Sequence, residues 1–147
     1  MRPSPGHGRR SDGEVKAVGA MDAVEESILQ DLRRLDDPML QCSYLIECGR
    51  ALPLMDEELK TDENLVRECE VRTWFAVQAL PDGSRRLAAD SESLIVRGAL
   101  ALVAEVLEAG NPKEWASHEW RLLSEPDFAR NLTATQQRGL ASVLSRL

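Results

Sequence analysis

The sequence has no run of about 18 apolar residues, the length that would suggest a membrane span. Its longest apolar-rich stretch, residues 94–107, contains Arg97 and Glu105 and reads as a buried helix of a soluble fold. It also lacks the apolar core of a secretory leader. Residues 1–20 (MRPSPGHGRRSDGEVKAVGA) are rich in Gly, Pro, Ser and Arg, have no apolar period, and are expected to form a disordered tail. Asp12 and Glu14 weigh against a transit peptide, and Met21 offers an alternative start. Cysteine is scarce: Cys42, Cys48 and Cys69, with no CxxC pair. An odd count without framework spacing argues against a secreted disulfide scaffold and for a reducing, cytoplasmic setting. The histidines are His7 and His118. A zinc site would have to gather the cysteines and His118 from distant segments without the usual ligand spacing, so no metal is expected. Basic residues are few. The first 20 residues carry four basic and two acidic side chains, which leaves 14 basic and 23 acidic for the rest, a balance of −9. Such a surface is a poor match for nucleic-acid phosphates and suits a positively charged protein partner.

What is present, from residue 21 to 147, is one domain of helices around a short β segment. Val24, Ile28, Leu32 and Leu35 share a helical face. Asp37-Pro38 then caps and opens a second helix, with Leu40, Tyr44, Cys48 and Leu52 on one stripe and Pro53 as its stop. Cys42 and Cys48 lie in that helix and read as packing residues. Residues 54–62 form an acidic connector, and strand character begins near Asn64. Residues 73–78 are β-rich, Pro81-Asp82-Gly83-Ser84 is a turn signal, and residues 85–89 form a return strand. Asp90 or Ser91 is expected to cap a long helix bearing Leu94, Ile95, Gly98, Ala99, Leu102 and Val106, which Gly110 ends. Asn111-Pro112 restarts a helix through Trp115 and on to Trp120, and Pro126 and Phe128 mark another brief helical piece. Thr133, with Gln136 three residues on, has capping-box spacing for a last helix buried through Leu140, Val143, Leu144 and Leu147. The fold class is α+β: a small curved antiparallel sheet of about three strands packed against helices.

Cys69 differs from the other two cysteines. A structural cysteine is usually a small buried hydrophobe, yet its neighbours are Arg67, Glu68, Glu70 and Arg72. The apolar entry Leu65-Val66 and the strand-like exit Trp74, Phe75 and Val77 place it on a loop tip, where a thiolate can reach another molecule. Arg67 and Arg72 favour the thiolate, Glu68 and Glu70 oppose it, and the arginines also fit as solvated strand-edge charges. Asn64 reads as a hydrogen-bonder in a turn and Trp74 as a core or cavity wall. His118 reads as a surface residue. Asp56-Glu57-Glu58 reads as a solvated connector, or else as a docking patch.

Four stretches resemble the SufE family of sulfur-acceptor proteins, including its relative CsdE. Residues 45–53 (LIECGRALP) are similar to the family's I-I-E-L-G-x-x-L-P, and residues 64–69 followed by Trp74 to N-x-V-x-G-C-Q-S-x-V-W. Residues 90–98 (DSESLIVRG) resemble D-S-D-x-x-I-V-K-G, and Leu132-Thr133 with Gly139-Leu140 resembles L-T-P-S-R-x-x-G-L. Around the key residue the sequence departs from the pattern with Glu68 for glycine, Glu70-Val71 for Gln-Ser and Thr73 for valine. In the closing motif Gln136 stands for arginine, with Arg138 two residues later. Glutamate resists the positive φ that glycine takes freely, so a Cys69 loop of different shape is expected. The resemblance implies a sulfur carrier: Cys69 accepts persulfide sulfur from a PLP-dependent cysteine desulfurase and passes it to an iron–sulfur scaffold complex. Arg67, Arg72, Asn64 and Trp74 are the supporting residues, and the chain has no cofactor of its own. The alternatives are a non-catalytic module that docks on and modulates a desulfurase, and a thiol enzyme acting alone. The latter needs a resolving cysteine or a base near Cys69, and Cys42 and Cys48 are in the wrong setting for it.

Overall fold

The computed structural model describes residues 19–147. The expected tail over residues 1–20 therefore lies outside the described residues, except for Gly19 and for Ala20, which already opens a helix. Helix α1 (Ala20–Leu35) buries Met21, Ile28, Leu29 and Leu32 along one face. Asp36 ends it in the left-handed region, at φ 43°. Asp37 then caps α2 (Pro38–Ala51), its carboxylate accepting from the N–H groups of Met39 (2.8 Å) and Leu40 (3.3 Å). The buried stripe of α2 is Gln41, Tyr44, Leu45 and Cys48, continued by Leu52, whereas Leu40, expected on it, is 51% exposed. Gln41 can face inward because its amide is fully bonded. It donates to the Leu32 carbonyl (3.0 Å) and to Asp127 (2.9 Å) and accepts from Nε and Nη2 of Arg130.

The chain leaves α2 through two short 3-10 turns, Glu57–Leu59 and Asp62–Asn64, and enters a hairpin of β1 (Thr73–Ala79) and β2 (Arg85–Ser91). The strands pair antiparallel with Thr73 opposite Ser91, Phe75 opposite Ala89 and Val77 opposite Leu87. Gly83, at φ 88°, supplies the left-handed turn position, and Asp82 accepts from the Ser84 N–H (2.9 Å). The sheet has two strands, where about three were expected. The third is reduced to a single bridge, Leu65 to Trp74, because the turn at residues 62–64 leaves little extended chain before Cys69.

Helix α3 (Leu94–Glu108) is capped by Ser93, whose hydroxyl accepts from the Val96 N–H (3.2 Å). Asp90 and Ser91, expected as caps, instead finish β2. The central contact is between α3 and α2. A Cβ on Gly98 would strike the Leu45 carbonyl, and one on Gly49 would strike the Leu94 carbonyl, so the two helices meet backbone to backbone. Arg97 fastens the crossing. Its Nε donates to the Gly49 carbonyl (3.0 Å), its Nη2 to the Leu52 carbonyl (2.9 Å) and its Nη1 to Asp90. These bonds satisfy carbonyls at the end of α2 and tie the end of β2 to the same guanidinium. Lys60 approaches the other Asp90 oxygen at 2.9 Å.

Three short pieces complete the core. Helix α4 (Pro112–Trp115) carries an Asn111/Glu114 capping box and ends at Trp115, before the expected Trp120. Helix α5 (Pro126–Ala129) buries Phe128 completely. Helix α6 (Ala134–Ser145) opens on the expected Thr133/Gln136 capping box and buries Leu140 and Val143. His118 is a correction: its side chain is 5% exposed, not at the surface. Its Nε2 lies 2.9 Å from Glu25 Oε1 and its Nδ1 3.5 Å from Asp22. Glu25, fully buried, also accepts from the N–H groups of Arg121 (2.7 Å) and Leu122 (3.0 Å). A carboxylate buried in α1 needs donors, and the segment after α4 supplies them.

Two expectations follow. Alanine is the better helix former by about 1 kcal/mol, but at residue 98 its methyl meets an immovable carbonyl. Gly98→Ala should therefore lose about 2 kcal/mol in chemical denaturation and several degrees in Tm. A more stable variant would mean that the helices can separate freely. At Asp90, burial pushes the pKa up, but Lys60, the Ser91 N–H and Arg97 outweigh it and hold the carboxyl below its usual range. A group depressed on folding contributes fully above its unfolded value, about 3.9, and loses that contribution as pH falls through the lower folded value. The stability difference between the native protein and Asp90→Asn, from urea titrations, should shrink as pH drops below about 4.

Candidate functional site

The loop carrying Cys69 is closed at its base and thinly held above it. The Val66 N–H donates to the Thr73 carbonyl (2.8 Å), and the Cys69 N–H to the Val66 carbonyl (3.3 Å). Val66 is buried and anchors the entry, while Arg67, Glu68, Glu70 and Arg72 are exposed. The loop needs no left-handed residue. Among the described residues Asp36 alone of the non-glycines has positive φ, so Glu68 sits in place of the family's glycine without backbone strain.

Cys69 is half-buried rather than lifted clear of the core. Its side chain enters a narrow cleft lined by Val66, Thr73, Leu132, Gln136, Gly139 and Leu140, with free space for roughly one water-sized group. Gly139 on α6 forms the floor. A Cβ there would lie 2.9 Å from the Cys69 Cβ and 3.4 Å from Val66 Cγ1. Among the described residues one polar group is within hydrogen-bond distance of the sulfur: Thr73 Oγ1 lies 3.6 Å from Sγ. Thr73 is 2% exposed, and its oxygen is 2.8 Å from the Ser91 hydroxyl across the strand pair.

The four supporting residues shape the loop and bond elsewhere than to the sulfur. Asn64 donates from Nδ2 to the Leu59 carbonyl (2.7 Å) and stitches the two 3-10 turns together. Arg67 turns back to the Asp62 carbonyl (3.5 Å). Arg72 lies 5.9 Å from the centre of the Trp74 ring, and Lys60 stands 5.4 Å from it. Both cations are thus within cation–π reach of Trp74, directly after the loop. Glu70 leans towards α6, where the Thr133 hydroxyl donates to it (3.4 Å). Arg146 donates to the Leu65 carbonyl (3.1 Å) and pins the loop entry from the far end of α6.

Sequence reasoning missed Thr73, Gln136 and Gly139 around the sulfur, and Ser91 behind Thr73. The available signals were a hydroxyl where the family pattern has valine, and a glycine inside the last helix. The cysteines are not gathered: Cys42 and Cys48 lie on α2, Cys48 buried, and Cys69 lies on the loop before β1. The one group of candidate metal donors among the described residues is Asp22, Glu25 and His118. Both Glu25 oxygens already accept hydrogen bonds, and Arg121 Nε is 3.7 Å away, which makes this cluster an ion-pair clamp. Among the described residues no helix is long and apolar enough to cross a membrane.

Residues 26–147 match the family model of SufE, the Fe-S metabolism associated domain. The chain is 30% identical over 126 residues to an uncharacterized SufE-like protein of Rhizobium etli, covering 83% of this chain and 85% of that one. It is also 28% identical over 89 residues to the chloroplastic quinolinate synthase of Arabidopsis thaliana, a match to 60% of this chain and 12% of that protein.

The Gly139 floor can be tested directly. Gly139→Ala should cost about 1–3 kcal/mol of strain where α6 meets the loop, relieved by pushing Cys69 outward. Peptide-resolved alkylation of Cys69 should then speed up about tenfold, the equivalent of about 1.4 kcal/mol. An unchanged rate would mean that the loop does not rest on α6.

Proposed function

We propose a sulfur-carrier role from one premise: the chain belongs to the SufE family of Fe-S metabolism associated domains. Cys69 accepts a sulfane sulfur from the persulfide of a PLP-dependent cysteine desulfurase and passes it on for iron–sulfur cluster assembly. The observation that carries this reading is the cleft around the Cys69 sulfur, apolar on most sides and with room for roughly one added atom.

The step balances without an outside oxidant. The Cys69 thiolate attacks the outer sulfur of the donor persulfide, a new S–S bond forms on Cys69, and the old one breaks to release the donor's thiolate. Val66, Leu132 and Leu140 shield the product from water and from stray thiols, while the exposed charges of the loop remain available to a partner. Carbon–sulfur cleavage is left to the partner's PLP. Arg67 and Arg72 contribute through loop shape and surface charge.

The test is to incubate the protein with a cysteine desulfurase and labelled cysteine, then to locate the label by peptide mass spectrometry. The expected result is the mass of one added sulfur on Cys69, lost in Cys69→Ser and removed by a reducing thiol. A desulfurase shown to bind but leaving no sulfur on Cys69 would overturn the proposal. A Cys69→Ser variant that stimulates the desulfurase fully would establish the docking-module alternative instead.

A further inference from the structure

Four groups line up behind the Cys69 sulfur. The Ser93 N–H, at the N-terminus of α3, donates to the Ser91 hydroxyl oxygen at 3.2 Å. Ser91 Oγ lies 2.8 Å from Thr73 Oγ1, and Thr73 Oγ1 lies 3.6 Å from Cys69 Sγ and 3.2 Å from the Val71 carbonyl. Ser91 accepts from Ser93 and keeps a second lone pair, so either hydroxyl of the Ser91–Thr73 pair can be the donor. The direction in which Ser91 donates is the one that leaves the Thr73 hydrogen for its other two neighbours. Thr73 then accepts from Ser91 and has one hydrogen for two acceptors, the Val71 carbonyl and the sulfur. A neutral thiol is a weak acceptor and loses to the carbonyl. A thiolate carries a full charge and wins.

We propose that Thr73, aligned by Ser91, is a positioning residue that turns its hydroxyl hydrogen onto the Cys69 sulfur whenever that sulfur is a thiolate. The inference rests on the sulfur-carrier reading for its purpose, and the geometry stands apart from it. Both hydroxyls are buried, Thr73 at 2% and Ser91 at 6% exposure, so their bonds act in a low dielectric and reinforce one another. The chain starts at a helix N-terminus, which carries a partial positive charge. The charged residues of its own loop are Glu68, Glu70, Arg67 and Arg72, all exposed. From α3 the cleft receives Val96, Ala99 and Leu100, and from α6 Gln136, Gly139 and Leu140, none of them charged. Arg138 beside Gly139 is exposed to solvent. Thr73 and Ser91 thus supply the buried polar contact on the sulfur's strand side.

The device serves both halves of a transfer. On loading, Thr73 holds the attacking thiolate. Once the outer sulfur is bound, Sγ is a neutral member of an S–S bond and the hydroxyl returns to Val71. On unloading, an acceptor thiolate attacks the outer sulfur, the S–S bond breaks, and Sγ leaves as a thiolate that the hydroxyl meets again. A better-stabilised thiolate is a better leaving group and a slightly weaker nucleophile.

The test is the pH–rate profile of Cys69 alkylation by iodoacetamide, followed on its own peptide, in the native protein, Thr73→Val, Thr73→Ser and Ser91→Ala. Losing a hydrogen bond to a charged group moves the midpoint up by roughly one pH unit. With a Brønsted slope of about 0.4–0.5, Thr73→Val should react about threefold slower below the midpoint and about threefold faster on the high-pH plateau. Thr73→Ser should restore the native profile, and Ser91→Ala should shift it part of the way. Loop opening alone would raise the rate at every pH without moving the midpoint. That result, or superimposable profiles, would overturn the inference. The readout involves no desulfurase. A shifted profile in a protein that takes no sulfur would sink the carrier reading and leave this one standing, and the converse outcome would do the reverse.

Discussion

The backbone-to-backbone crossing of α2 and α3 is the constraint from which the site follows. Two glycines allow it, because either one with a methyl group would collide with a carbonyl of the opposite helix. Arg97 exploits the closeness. From one guanidinium it reaches the Gly49 and Leu52 carbonyls at the end of α2 and Asp90 at the end of β2. Asp90 precedes Ser91, and Ser91 stands opposite Thr73 in the strand register. The position of the hydroxyl beside Cys69 is thus tied to a helix crossing whose two glycines lie outside the lining of the cleft. A lysine at residue 97 would carry the same charge without the fork and could not satisfy three acceptors in fixed directions.

Against this rigid frame the Cys69 loop is lightly tied. Its base is held by Val66 and Thr73, its entry by Arg146 and its flank by Glu70 to Thr133. Those outer bonds are exposed, and exposed bonds contribute little to holding a segment shut. The buried anchors lie on either side of the loop, at Val66 and at Thr73 with Phe75. Low local stability between firm anchors is what a segment needs if it must leave a cleft and return to it.

Much of the fold was legible because its punctuation is local. Asp37-Pro38, the turn at residues 81–84 and the Thr133/Gln136 capping box are each written within a few adjacent residues, and each forms as read. The cap of α3 was misplaced by two or three residues because Asp90, Ser91 and Ser93 are all competent, and the strand register decided among them. His118 and Leu40 were misread for a different reason. Whether a side chain turns inward depends on partners far along the chain: His118 meets Glu25 across 93 positions, and Gln41 takes the inward place through Asp127 and Arg130. No local pattern carries that information. The same holds for the site. Cys69 was conspicuous for its polar neighbours, while Gly139, which fits beneath it, lies 70 positions away on the last helix.

The acidic residues beside Cys69 look different once the walls of the cleft are known. In the sequence Glu68 and Glu70 flank the sulfur as closely as residues can, and a count of charges weighs them heavily. In the folded chain both are exposed, and Glu70 has a hydroxyl partner on α6. Charges in water act through a high dielectric and are screened within about 10 Å at ordinary salt. The cleft around the sulfur is lined by apolar side chains, Gln136 and one buried hydroxyl, where a hydrogen bond is stronger than in water. Distance along the chain therefore overstates the carboxylates and hides Thr73. On the proposed role, the stronger influence on a Cys69 thiolate is the neutral group that shares its low-dielectric side, and the exposed glutamates are left to shape the surface that a partner would meet.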